Sequence, residues 1–242
     1  VREDPGRPGR RLIRGAPEEL EARVAEYASR KGRWLSHLGV NVNLGPVVDL
    51  RRMHSLAATG VDLHSRIWER AISSDPGVVA RVAGAYSQAL LRHGVHPTLK
   101  HFPGLGRVAR DTHLHAAWLE TPLAELEASD WLPFRQVIGS VPALLMLGHV
   151  QVSALDPTYP ASSSRAVIEL LRGRWGYSGL VLTDDFCMIP AWRGLGGIGP
   201  SAVRALQAGV DLILVTADEQ QVYPVLEAML QARAQGKLPP PE

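Results

Sequence analysis

The order of residue types along this chain constrains its fold most. A short apolar run, a polar residue and a helix-like segment follow one another repeatedly. Val40–Asp49 reads as a strand closing on a carboxylate, and Val95–His101 as one closing on Lys100 and His101. Ala143–His149 closes on a histidine, and Leu180–Thr183 runs into Asp184 and Asp185. Val210–Val215 is a fifth apolar run. Between them lie helical segments. Pro17–Leu38 opens with Pro in its first turn and acidic residues behind it. Val78–Arg92 has Asp75 in place to cap it. Trp131–Ile138, Ser164–Trp175, Pro200–Ala208 and Glu219–Gln235 complete the set. Strand–helix alternation implies a parallel sheet, because each crossover helix returns across a sheet face. Ligands bind at the C-terminal ends of parallel strands, whether the sheet closes into a barrel or stays open and doubly wound. Polar residues at four of five strand ends therefore place a candidate site there.

Composition narrows the class. The chain has 242 residues, 45% hydrophobic and 21% charged, which suits one globular domain over 1–242 and excludes collagen-like, coiled-coil and disordered chains. Residues 1–16 read as an irregular segment, where Arg2, Arg7, Arg10, Arg11 and Arg14 form a solvated coil or a short basic arm. Lys and Arg number 26 against 24 acids, so no nucleic-acid partner is expected. The single Cys187 excludes a disulfide framework and a cysteine zinc cluster. Flanked by Phe186 and Met188, it is expected to be a small buried thiol rather than a nucleophile. No apolar run is long enough for a membrane span, and no signal peptide opens the chain. A cytoplasmic location is expected, with room for an export signal only upstream of residue 1.

Three motifs carry candidate chemistry. Lys100-His101-Phe102-Pro103-Gly104-Leu105-Gly106 runs into a loop bearing Asp111-Thr112-His113. A carboxylate two residues from an imidazole can hydrogen-bond it and raise its basicity, which suits proton transfer near neutral pH. The alternative is a surface loop with incidental polar residues. His115 extends this to His-x-His, but no further ligand cluster is evident and no metal is expected. Asp184 and Asp185 share a strand end, where neighbours point to opposite faces, so one is expected to act and the other to hold structure. Gly194–Gly199 matches G-x-G-x-x-G but follows no apolar strand, so it reads as a loop before a helix. Of six Trp residues, Trp68 is the one singled out for stacking on a sugar.

These blocks resemble glycoside hydrolase family 3, in particular its bacterial β-N-acetylglucosaminidase branch. Leu38–Asp49 is similar to G-[IV]-N-x-x-x-x-P-V-x-D, and Ile67–Pro76 to I-G-x-R-[AS]-F-x-x-D-P. Lys100–His113 resembles K-H-F-P-G-H-G-x-x-x-x-D-[ST]-H. Gly148-His149-Val150, with Asp156-Pro157 and Pro160-Ala161-Ser162, resembles the [AG]-H-V…D-x-x-P-A-[ST] block. Leu182–Met188 resembles [FV]-[ST]-D-D-[LF]-x-M, and Ala205–Asp211 resembles A-x-x-A-G-x-D. The resemblance implies an α/β fold, a (β/α)8 TIM barrel. Three strands would precede residue 1, and a last helix would follow Glu242.

The implied activity is a retaining, exo-acting β-N-acetylhexosaminidase acting on terminal β-linked GlcNAc, as in peptidoglycan fragments. Asp184 takes the nucleophile position, His113 the acid/base position and Asp111 its dyad partner. Asp49, Arg70, Lys100 and His101 take sugar-hydroxyl positions, with His149 close by. The implied partner is a carbohydrate, and no cofactor is needed. A family 3 β-glucosidase, a phosphorylase and a non-catalytic sugar-binding module stay open as alternatives. Leu105 stands where the family has His, and Arg107 where it often has Asp.

Overall fold

The computed structural model describes residues 17–52, 67–108 and 115–238. In chain order its elements are α1 (Pro17–His37), β1 (Val42–Asn43), α2 (Ile67–Arg70), α3 (Pro76–Leu91), β2 (His96–Phe102) and β3 (Trp118–Leu119). There follow α4 (Leu123–Ala128), α5 (Leu132–Ile138), β4 (Leu144–Leu147), β5 (Gln151–Val152), β6 (Asp156–Pro160) and α6 (Arg165–Glu169). The last are β7 (Val181–Asp185), α7 (Ile198–Ala208), β8 (Leu212–Leu214) and α8 (Val222–Ala234).

All six expected helices are present, and local chemistry explains their ends. Asp75 Oδ1 accepts the Gly77 and Val78 N–H groups at 2.7 and 3.1 Å and so starts α3. Gly209, at φ +107°, stops α7 in a left-handed turn that a side chain would resist. The Ser164–Trp175 segment is α6 followed by a π-helical turn over Leu170–Arg174. Leu20, Val24 and Ala28 of α1 pack on Val82, Tyr86, Ala89 and Leu90 of α3.

Five strands form one parallel sheet in the order β1-β2-β4-β7-β8. These are the five strands expected from the sequence, and they make up part of the (β/α)8 barrel that the resemblance implies rather than a closed one. Among the described residues β1 and β8 share no ladder, so the sheet is an open arc of helix-backed strands. Val40, Val42 and Leu44 at one edge and Leu212 at the other stay exposed. The expected strand over Val40–Asp49 shrinks to two residues plus an isolated bridge from Val47 to Lys100. There the Gly45 N–H turns back to the Asn43 carbonyl and Pro46 has no N–H to give. A separate sheet of β3, β5 and β6 is also present.

The strands have two apolar faces, as a parallel sheet requires. Leu145 and Leu147 join the large core beneath the helices, with Leu99, Phe102, Trp131 and Phe134. Their neighbours Leu144 and Met146 pack instead with Leu182 and Leu214. The period-2 alternation of β4 divides the two groups. Along β7 it puts Asp184 on the same face as Leu182 and sends Asp185 the other way.

Candidate active site

The site lies at the C-terminal ends of β2 and β7, beside the segment after β1. Asp49 is fully buried and both its oxygens are engaged. Oδ2 accepts the His101 ring N–H from Nδ1 at 2.8 Å and the His101 backbone N–H at 3.2 Å. Oδ1 accepts the Leu105 N–H at 2.7 Å. One carboxylate thus aligns the imidazole and binds the loop after β2. With Nδ1 committed, His101 turns Nε2 toward two charges. Arg70 Nη2 stands 3.4 Å away and Asp184 Oδ2 3.7 Å away.

Asp184 is mostly buried, its side chain 19% exposed, and its Oδ1 accepts the Asp185 N–H at 2.9 Å. Burial works against its ionisation, but the His101 and His149 imidazoles, that N–H and the Lys100 ammonium prevail. Its pKa therefore sits below the ordinary aspartate value. Burial and the Arg70 guanidinium lower the Lys100 pKa, with Asp184 and Asp49 offsetting part of this. The result is a carboxylate held ionised among cationic and imidazole groups.

Asp185 serves structure. Its Oδ2 accepts the Thr216 hydroxyl at 2.6 Å and the Ala217 N–H at 3.1 Å. Its Oδ1 accepts the Cys187 and Thr216 N–H groups at 3.0 and 3.1 Å. Burial opposes its charge, and these donors overcome it, so its pKa is also lowered. The two acids at this strand end therefore have different surroundings, as their opposite faces predict.

His149 is 1% exposed and uses both ring nitrogens internally. Nε2 donates to the Asp185 carbonyl at 3.0 Å, so in the neutral ring Nδ1 accepts from the Ser162 hydroxyl at 2.7 Å. Burial lowers its pKa, against the pull of Asp184. His149 thus braces the end of β7, and no local signal pointed to Ser162 as its partner.

Arg70 ends α2, two residues after the exposed Trp68. Asp111 and His113 lie outside the described residues. Cys187 corrects the expectation of a buried thiol. It is half-buried, on the turn leaving β7, with Sγ 3.8 Å from the Asp218 carbonyl. Gly194–Gly197 form the turn before α7, and Gly199 packs against the Pro224 carbonyl. Among the described residues no group of three His, Cys, Asp or Glu could hold a metal ion, and no helix is long and apolar enough to cross a membrane.

The family described as "Glycosyl hydrolase family 3 N terminal domain" matches residues 15–242. The chain belongs to glycosyl hydrolase family 3. Among curated family members, "Beta-hexosaminidase LpqI" of Mycobacterium tuberculosis is 37% identical over 222 residues, 89% of this chain and 54% of that protein. A "Beta-hexosaminidase" of Xylella fastidiosa is 39% identical over 203 residues, 84% of this chain and 57% of its own length. The chain therefore spans a little over half the length of these curated relatives. A solved glycoside hydrolase family 3 β-N-acetylglucosaminidase from Paenibacillus sp. str. FPU-7 superposes with a TM-score of 0.83 at 32% identity, covering 94% of this chain and 41% of that one.

Proposed function

We propose that this family 3 domain carries the catalytic groups of a retaining, exo-acting β-N-acetylhexosaminidase that removes terminal β-linked GlcNAc. The observation that carries this reading is Asp184, at the end of β7 and held ionised beside His101 and Lys100. The names of the relatives support the substrate class. The TM-score of 0.83 supports reading the five-stranded sheet as an arc of a (β/α)8 barrel. Peptidoglycan fragments as the source rest on the resemblance to the bacterial branch.

Retention needs a carboxylate nucleophile and a second group that gives, then takes, a proton. Asp184 attacks the anomeric carbon and the glycosidic C–O bond breaks. His113, oriented by Asp111, gives its proton to the leaving oxygen. In the second step His113 takes a proton from water, which attacks the anomeric carbon and releases Asp184. Lys100 and Arg70 present donors to sugar hydroxyls, and the neutral His101 ring, its Nδ1–H given to Asp49, offers Nε2 as an acceptor. Asp49 and His149 act by holding His101 and the Asp185 carbonyl. Hydrolysis of an aryl β-GlcNAc, followed by NMR, is expected to release the β-anomer first. A sugar 1-phosphate formed only with added phosphate would identify a phosphorylase. Binding without cleavage would identify a sugar-binding module.

Two further outcomes follow. His113→Ala is expected to lose about 10²–10⁴-fold on substrates with poor leaving groups and far less on activated aryl glycosides. Equal losses on both would remove His113 from the acid role. The pH profile of kcat/KM is expected to be bell-shaped. Asp184 must be ionised, and its lowered pKa keeps it so through mildly acid pH, so the acid limb falls below the ordinary aspartate value. The alkaline limb follows loss of the His113 proton. An acid limb at or above the ordinary aspartate value would contradict the environment described for Asp184.

A further inference from the structure

The segments that carry Asp49 and His101 are tied together from outside the site. Asp130, on the turn between α4 and α5, is 2% exposed. Its Oδ2 accepts from Arg107 Nε at 2.7 Å and from Arg52 Nη2 at 3.4 Å, and the Ser129 hydroxyl lies 2.8 Å from the same oxygen. Arg107 reaches on to Glu125 Oε1 at 2.7 Å. The next residue, Trp131, donates its indole N–H to the Pro103 carbonyl at 3.0 Å. Arg52 belongs to the segment after Asp49, and Arg107 to the loop after His101. A single buried carboxylate therefore grips both.

Stability alone does not account for this arrangement. Asp130 Oδ1 is buried with no partner among the described residues, and a bare buried acceptor costs stability. From Arg107 the connection runs inward along the loop. The loop it anchors contains Leu105, whose N–H binds Asp49, and Asp49 in turn binds the His101 ring.

We propose that Asp130 is a positioning residue. By clamping Arg52 and Arg107 it holds the segment after β1 and the loop after β2 in the register that lets Asp49 aim His101 at Asp184. The kinetic consequence rests on the proposed hydrolase reading; the geometric consequence does not. The experiment compares wild type with Asp130→Asn by two readouts. The first is the His101 Nδ1–H proton resonance, expected downfield and slow to exchange in the wild type because Asp49 accepts it at 2.8 Å in a buried site. The second is turnover of an aryl β-GlcNAc. The variant is expected to lose or broaden that resonance and to drop about tenfold or more in kcat, with KM changing less, because small misplacements of reacting groups cost rate. Arg107→Gln, which keeps the Arg52 contact, is expected to show the same changes more weakly, and it decides the matter if Asp130→Asn does not fold. Arg107→Lys, which keeps the charge, is expected to restore much of both readouts. A folded variant with the His101 resonance and kcat of the wild type would overturn the proposal. No turnover of aryl β-GlcNAc by the wild type would overturn the hydrolase reading instead, and the resonance would still test the clamp.

Discussion

Asp184→Asn is expected to abolish turnover of aryl β-GlcNAc substrates, with a loss on the order of 10⁴-fold or more, as when a nucleophile is removed. The amide matches the carboxylate in shape and still accepts the Asp185 N–H, which lies 2.9 Å from Oδ1. What it lacks is the charge that forms the glycosyl-enzyme. Asp184→Ala is expected to be as inactive in water, but it leaves room for added azide. Attack by azide from the vacated face would give the α-glycosyl azide, and that product marks the nucleophile directly. Wild-type rates in Asp184→Asn would transfer the role to another residue.

The same substitution has a readout in stability. The Asp184 pKa is lowered in the fold, so its carboxylate stabilises the protein above the unfolded pKa. That contribution is lost as pH falls through the folded pKa. Asp184→Asn should therefore lower the thermal midpoint at neutral pH, and the difference should close in acid. A higher midpoint at neutral pH would show that Asp184 is strained by its neighbours rather than held by them.

What the sequence disclosed follows from the range of each interaction. The ends of α3 and α7 were legible because a capping Asp and a left-handed Gly act within a few residues. The separate roles of Asp184 and Asp185 were legible because strand alternation is local. β1 was overestimated, because Gly45 and Pro46 give β2 only their carbonyls, to the Thr98 and Lys100 N–H groups, and no N–H of their own. The sheet of β3, β5 and β6 went unseen because strands as short as two residues carry no period. The five strands of the arc were countable because each is an apolar run long enough to show, though apolar runs do not say which of them pair. The Asp130–Arg107 pair joins residues 23 apart in sequence, with no local pattern to mark it. His149 looked like a group offered at a strand end, and only the packing shows that Ser162 and the Asp185 carbonyl occupy both its nitrogens.

The glycines after His101 test how tightly the two site segments must fit. A Cβ on Gly106 would collide with the Leu50 carbonyl oxygen and come within 3.1 Å of the Leu50 carbonyl carbon. Leu50 directly follows Asp49, and Gly106 directly follows Leu105, so the collision forces apart the groups joined by the 2.7 Å hydrogen bond from Leu105 to Asp49. Overpacking against backbone costs about 1–3 kcal/mol. A buried acceptor stripped of a donor costs about 1–3 kcal/mol more. Gly106→Ala is therefore expected to destabilise the domain by roughly 4 kcal/mol, with loss of activity as Asp49 and His101 separate. Gly84 supplies the control. It lies inside α3 with nothing within 4 Å of an added Cβ, so Gly84→Ala should stabilise by about 0.5–1 kcal/mol through backbone entropy. Urea midpoints of the two variants should thus move in opposite directions. If both moved upward, the approach of Gly106 to Leu50 would be looser than the structure has it, and the alignment of Asp49 with His101 could not depend on it.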